Sequence, residues 1–270
     1  MDRGRPVKIP WGLIQGVVSL TIVLLLLAWE TLAPARPRPN GVLRRWGRNL
    51  TIGGIGILAT HVVPGGILVA VSTWGRSGGI GLLVGLPPLM ATVMTALILD
   101  LALWAQHKVS HEWPWLWRLH RVHHGDQAMD ITTAFRFHPL ELGVSLIWKS
   151  MVVLVLGGPV AGVLLFESML LVGNLFEHAN GHLPEAADRV LRSALVTPHL
   201  HAIHHATDPR DQRSNFGFFF IWWDRIFHTI RWLPSDSASQ DFGLGDGRER
   251  SILDLLRQPF EPINEPLSGA

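Results

Sequence analysis

The sequence predicts an all-α integral membrane protein. It comprises about three N-terminal membrane helices and a Gly-Gly-Pro-broken helical hairpin, with a helical, cytosolic histidine-cluster domain. Three observations carry this. The 270 residues are 48% hydrophobic and only 16% charged, where soluble domains hold about 25% charged residues. The apolar residues fall into long runs of bilayer length. Ten of the fourteen histidines recur three or four residues apart, which places each group on one helix face.

The first apolar run is Trp11 to Trp29, behind a basic start (Arg3, Arg5, Lys8). A cleaved signal peptide is the rival reading, but no small-residue cleavage site closes the run. Residues 33–49 form a Pro/Arg-rich linker with Arg36, Arg38, Arg44, Arg45 and Arg48 and no acid. Leu50 to Thr73 is a second apolar run and Gly79 to about Ala105 a third. The positive-inside rule places the 33–49 loop, and so the end of the third helix, in the cytoplasm. The basic N-terminus argues the other way. Gly143 to Phe176 is apolar again and breaks at Gly157-Gly158-Pro159, which predicts a hairpin of two helices, each short for a full span. Lys149 and Glu167 inside it are expected to snorkel or to face the protein interior. The chain thus divides into N-terminal membrane helices (1–105), a histidine-bearing region with the hairpin (106–230) and a tail (231–270).

The histidines form four clusters: His107 and His111; His120, His123 and His124; His178 and His182; His201, His204 and His205. Imidazole is the commonest side-chain metal ligand. Ten exceed the needs of one ion, so two metals with four or five nitrogens each are expected. Histidine-only ligation disfavours calcium and magnesium; zinc, iron, copper and nickel remain. The absence of cysteine excludes iron–sulfur clusters, thiolate zinc sites and c-type haem. Net charge is only +2, and the arginines sit in short loops beside apolar runs, which suits a membrane surface and not nucleic acid. Asp126, Asp130 and Glu141 either orient imidazoles through their second ring nitrogen or are plain solvated loop acids. Other motifs carry less. Gly54-Ile-Gly56 fits small-residue helix packing better than a dinucleotide fingerprint, and Asn49-Leu-Thr51 is a glycosylation sequon. His61-Val-Val-Pro-Gly-Gly66 faintly matches a haem motif.

Four stretches together resemble the fatty acid hydroxylase/sterol desaturase superfamily: HKVSH (107–111), LWRLHRVHHGDQAMDITTAFRFHPLE (116–141), FEHANGH (176–182) and TPHLHAIHHATDPRDQRSNFGFFFIWWDRIFHT (197–229). The resemblance implies a bacterial membrane-bound di-iron oxidoreductase. Such an enzyme uses O2 to hydroxylate or desaturate a C–H bond of a lipid or sterol-like substrate, at the cytoplasmic face of the cell membrane. It implies two iron ions, with zinc as the ion a purified sample can carry instead. It also implies His107, His111, His120, His123, His124, His178, His182, His201, His204 and His205 as ligands, His182 being the position many bacterial members lack. Asn180 and Asp224 match family positions, and Asp224 with Arg225 could equally form a local ion pair. His138, His199 and His228 fall outside the ligand pattern. Without a nucleotide or flavin motif, electrons must come from a separate donor, such as a ferredoxin, cytochrome or reductase; the basic 33–49 loop is a docking surface for it or, equally, a bilayer anchor. Two readings from other classes stand beside this one: a histidine-rich membrane metal-binding or transport protein, and a zinc-dependent membrane hydrolase.

Overall fold

The computed structural model describes residues 11–60, 66–234 and 241–263, so the His61 motif and the basic residues 1–10 lie outside the described residues. Among those described there are helices and isolated bridges but no strand. The chain is an all-α membrane protein. Three helices are long and apolar enough to cross a bilayer, Pro88–Glu112, Pro139–Leu156 and Val160–His178; Gly16–Leu32 is apolar and slightly shorter.

In chain order, α1 is Trp11–Leu32, α2 Val42–Thr60, α3 Ile67–Ser77, α4 Pro88–Glu112, α5 Pro114–His124, α6 Pro139–Leu156 and α7 Val160–His178. Five short helices follow: α8 Glu185–Leu191, α9 Pro198–His204, α10 Pro209–Gln212, α11 Trp222–Ile226 and α12 Ile252–Arg257. The hairpin turns at the predicted Gly157-Gly158-Pro159. Gly157 caps α6 in the left-handed region (φ 58°), which a residue with a Cβ rarely adopts. Both arms are longer than expected, with 18 residues in α6 and 19 in α7, because α6 begins at Pro139, under a His138 cap, and α7 runs on through His178.

The N-terminal boundaries differ more. The run 50–73 is not one helix: α2 ends at Thr60 and α3 starts at Ile67, with Pro64-Gly65-Gly66 in the interval and Gly66 at φ 84°. The third run becomes helical only at Pro88, after Gly85 at φ 98°, and then continues through His107 and His111 to Glu112. The predicted 33–49 linker is helical from Val42, and Arg45 is buried.

The bundle core lies between α3, α4, α6 and α7 and holds Leu68, Leu99, Leu103, Val153, Val163 and Phe166. The opposite face of α6 exposes Ile147, Met151 and Val155, spaced four apart, as a lipid-facing stripe requires. On α2, a Cβ at Gly53 would stand 2.4 Å from the Phe135 carbonyl oxygen and one at Gly56 2.6 Å from Leu142. Gly56 therefore serves close helix approach as expected for this stretch, and Gly53 does so too, whereas a Cβ at Gly54 would meet nothing within 4 Å. Asn49 of the sequon is buried and donates to Asp126, which leaves no room for a glycan.

Candidate metal centre and its cavity

Four elements bring the histidines together. His107 and His111 stand on the last turns of α4. Pro114 restarts the chain as α5, with His120, His123 and His124 on its final turn. His178 ends α7, and α9 carries His201 and His204 with His205 as its cap. All nine rings are buried. They form two groups, within each of which the ligand atoms lie within 4.8 Å of one another. One is His107, His111, His120, His124 and His204; the other is His123, His178, His201 and His205. Each H-x-x-H-H motif is shared between them. In α5 the i, i+4 pair His120 and His124 serves the first group and His123 the second; in α9 His201 and His205 serve the second and His204 the first. Neighbouring helical residues diverge by about 100°, so adjacent histidines point at different centres.

The ring nitrogens are oriented for ligation. His107 Nδ1 donates to the Phe216 carbonyl (2.8 Å), His178 Nδ1 to that of Asn174 (2.7 Å), His204 Nδ1 to that of Ser214 (2.7 Å) and His120 Nδ1 to Glu141 Oε1 (2.6 Å). A neutral ring that donates from Nδ1 keeps a lone pair on Nε2. Yet His107 Nε2 faces His120 Nε2 at 3.0 Å. In the second group, Nε2 of His178 lies 3.0 Å from that of His201 and 3.2 Å from that of His123, with His205 and His201 at 3.1 Å. At His107 and His120, where both Nδ1 atoms already donate, the facing lone pairs repel unless a cation lies between them. Nitrogens bound to one metal at about 2.0–2.1 Å and at right angles stand about 3 Å apart, so the spacing fits. Burial, reinforced by repulsion among neighbouring imidazoles, holds His123, His124, His201, His204 and His205 well below the ordinary imidazole range. They stay neutral, as ligands must.

Of the acids expected to orient imidazoles, only Glu141 touches one. Asp126 and Asp130 instead pair with Arg45 (3.1 and 2.8 Å). Asp126 also accepts from Asn49, whose Oδ1 accepts from Arg136, which in turn donates to the Val122 carbonyl. This buried network ties α2 to the end of α5, so Arg45 is committed inside the protein and is no part of a docking surface. Asn180 exchanges hydrogen bonds with the backbone of Arg36 and touches no imidazole. Asp224 forms no pair with Arg225, which donates to the Arg192 carbonyl. It accepts from Trp104 Nε1, the backbone N–H groups of Phe216 and Gly217, and Thr229, and so fixes the carbonyl that holds His107. His182 lies apart. It is exposed and lines a separate surface cavity with Arg36 and Asp188. His138 Nδ1 accepts from the Leu140 N–H as the α6 cap and its Nε2 donates to the Leu256 carbonyl, and His199 Nε2 donates to the Leu233 carbonyl.

Sequence reasoning missed Glu177. It is fully buried, neither carboxylate oxygen has a hydrogen-bond partner, and Oε1 lies 3.7 Å from His201 Nε2. The available signal was an acid beside His178 at the end of an apolar run. A cavity of about 250 Å³ runs from His107, His120 and Glu141 between α6 and α7 to Lys149 and Glu167. These two pair at 3.3 Å across the two helices, with Lys149 mostly covered and Glu167 a third exposed.

The decisive comparison is with families of known sequence. The profile described as fatty acid hydroxylase matches residues 92–229, just over half of the chain, and the match takes in all nine converging histidines. The chain belongs to the fatty acid hydroxylase family. An ornithine lipid hydroxylase of Rhizobium tropici is 26% identical over 174 residues, 64% of this chain and 51% of the relative. Alkylglycerol monooxygenase of Homo sapiens is 27% identical over 124 residues, 46% of this chain and 27% of the relative. A cholesterol 25-hydroxylase-like protein of Danio rerio is 27% identical over 140 residues, 50% and 53% of the two chains. The chain thus spans between about a quarter and about half of the length of these relatives. No solved structure matches it. Within the family's region, α4, α5, α7 and α9 supply every converging imidazole.

Proposed function

We propose that this member of the fatty acid hydroxylase family is a membrane-bound oxidoreductase that holds two iron ions and uses O2 to hydroxylate, or to desaturate, a C–H bond of a lipid or sterol-like substrate. One observation carries the reading. Nine buried imidazoles converge in groups of five and four, and two of the first group, His107 and His120, line the inner end of a largely apolar cavity. The hydroxylase and monooxygenase names of the relatives support it.

The donor set suits a redox metal. His107, His111, His120, His124 and His204 would hold one ion, and His123, His178, His201 and His205 the other. Bound iron supplies the one-electron chemistry that activates dioxygen, which zinc cannot do. The buried carboxylate of Glu177, which no hydrogen bond satisfies and which lies 3.7–3.8 Å from His201 and His178, fits a cationic neighbour, since an isolated anion at such depth is costly. For hydroxylation the balance is R–H + O2 + 2 e⁻ + 2 H⁺ → R–OH + H2O; the electrons come from a separate ferredoxin, cytochrome or reductase. The protein's own contribution is placement. Glu141 and the carbonyls of Phe216, Asn174 and Ser214 fix the rings, and Phe137 and Phe218 shield the inner cavity. A cytoplasmic position of the clusters is part of the proposal, supported by the run of arginines from Arg36 to Arg48 that the positive-inside rule favours on that side.

The test is metal analysis of protein purified in nanodiscs, coupled to lipid profiling of cells with and without the gene. The expected result is two irons per chain and a lipid that gains one oxygen or loses two hydrogens. Turnover without oxygen, or by protein free of iron, would refute the reading.

A further inference from the structure

The metal chemistry leaves one feature of the cavity unused. Its outer part is lined by Lys149 on α6 and Glu167 on α7, an ion pair in the middle of two helices long enough to cross a bilayer. Charged side chains at that depth are expensive and mark function. A purely structural tie between α6 and α7 accounts for them poorly, because apolar residues of similar volume usually hold buried positions as well or better. Val153, Val163 and Phe166 already pack this region. Both charged groups line the same cavity as His107 and His120, so a molecule that fills the cavity meets the pair at one end and the histidine clusters at the other.

We propose that Lys149 and Glu167 recognise a neutral polar group of the substrate, a hydroxyl or amide that accepts from Lys149 and donates to Glu167, and so set which carbon reaches the metals. This rests on the reading of the cavity as the hydroxylase's substrate site. Charge selects the ligand class. The pair is neutral as a unit, and a group with both a donor and an acceptor inserts without changing that. A carboxylate would leave a net negative charge in a low-dielectric interior. Distance selects the carbon. From Glu141, which holds His120, to Lys149 is eight residues of α6, or about 12 Å at 1.5 Å per residue. An extended chain advances about 1.2 Å per bond, so the oxidised carbon lies roughly ten bonds from the polar group.

The test needs no turnover, which separates it from the hydroxylase reading itself. Protein in nanodiscs is titrated with a diazirine-bearing long-chain alkanol, the matching alkane and the matching fatty acid; photolabelling of cavity residues is then quantified by mass spectrometry. The alkanol should label at about tenfold lower mole fraction than the alkane, the scale of a hydrogen bond to a charged group. The fatty acid should show no such gain. In Lys149→Met/Glu167→Leu the alkanol advantage should vanish. Equal labelling by alkanol and alkane in the unaltered protein would overturn the proposal without any variant. So would a fatty acid that outcompetes the alkanol, or an alkanol preference that survives in the double variant.

Discussion

Replacement of Glu141 tests the organisation of the five-histidine group. Glu141 Oε1 accepts from His120 Nδ1 at 2.6 Å, and the side chains are 10% and 2% exposed, so water cannot substitute for the lost acceptor. A charge-assisted hydrogen bond of this kind is worth about 1.5–3 kcal/mol. If that energy serves to fix the ring for ligation, its loss weakens metal binding by about 10- to 100-fold. Glu141→Gln keeps an acceptor but not the charge and should fall near the lower figure; Glu141→Leu should approach the upper. The effect should stay local, because no imidazole of the four-histidine group touches Glu141. Chelator competition with metal analysis should therefore show one ion per chain lost early and the other held as in the unaltered protein. Glu141→Leu protein that retains both ions at unaltered affinity would refute the assignment of His120 and its carboxylate to a metal centre. Loss of both ions together would refute the independence of the two groups.

Three further outcomes follow from the same geometry. His123, His124, His201, His204 and His205 are held neutral by burial, so below their unfolded value near 6.5 the unfolded chain binds more protons than the folded one. The metal-free protein should then keep its full stability above about pH 6.5 and lose it as pH falls; a melting temperature flat from pH 7.5 to 5.5 would contradict this. Arg45→Met strands the buried carboxylates of Asp126 and Asp130 and should cost about 3–5 kcal/mol, measured as a fall in melting temperature that Asp126→Asn in the same chain partly restores. His182→Ala should leave metal content and affinity unchanged, since His182 is exposed and outside both groups; loss of an ion would restore it to the ligand set.

Much of the architecture is legible in the sequence because bilayer and helix impose short-range rules. The hairpin turn at Gly157-Gly158-Pro159, the break at Pro114 and the close packing at Gly56 all follow from local residue chemistry. The N-terminal boundaries were harder. Hydropathy does not register that Gly66 and Gly85 take positive φ, so two continuous apolar runs misstate where α3 and α4 begin. Arg45 read as a loop cation, because nothing near it in the chain shows that Asp126 and Asp130 fold back onto it from some 80 residues away. Asp126 and Asp130 suffered the converse error: close to histidines in sequence, they face the arginine of another helix.

By itself the sequence determined that this is an all-helical membrane protein with imidazoles gathered on helix faces, because i, i+3 and i, i+4 spacing is a property of one helix. Only the tertiary structure decided how the rings divide. His123 and His124 are adjacent yet serve different groups, as do His204 and His205, and His182 serves neither. Those choices depend on how α9 docks against α7 and how α5 folds back on α4. Contacts between distant segments set them, and no spacing within a single segment encodes them.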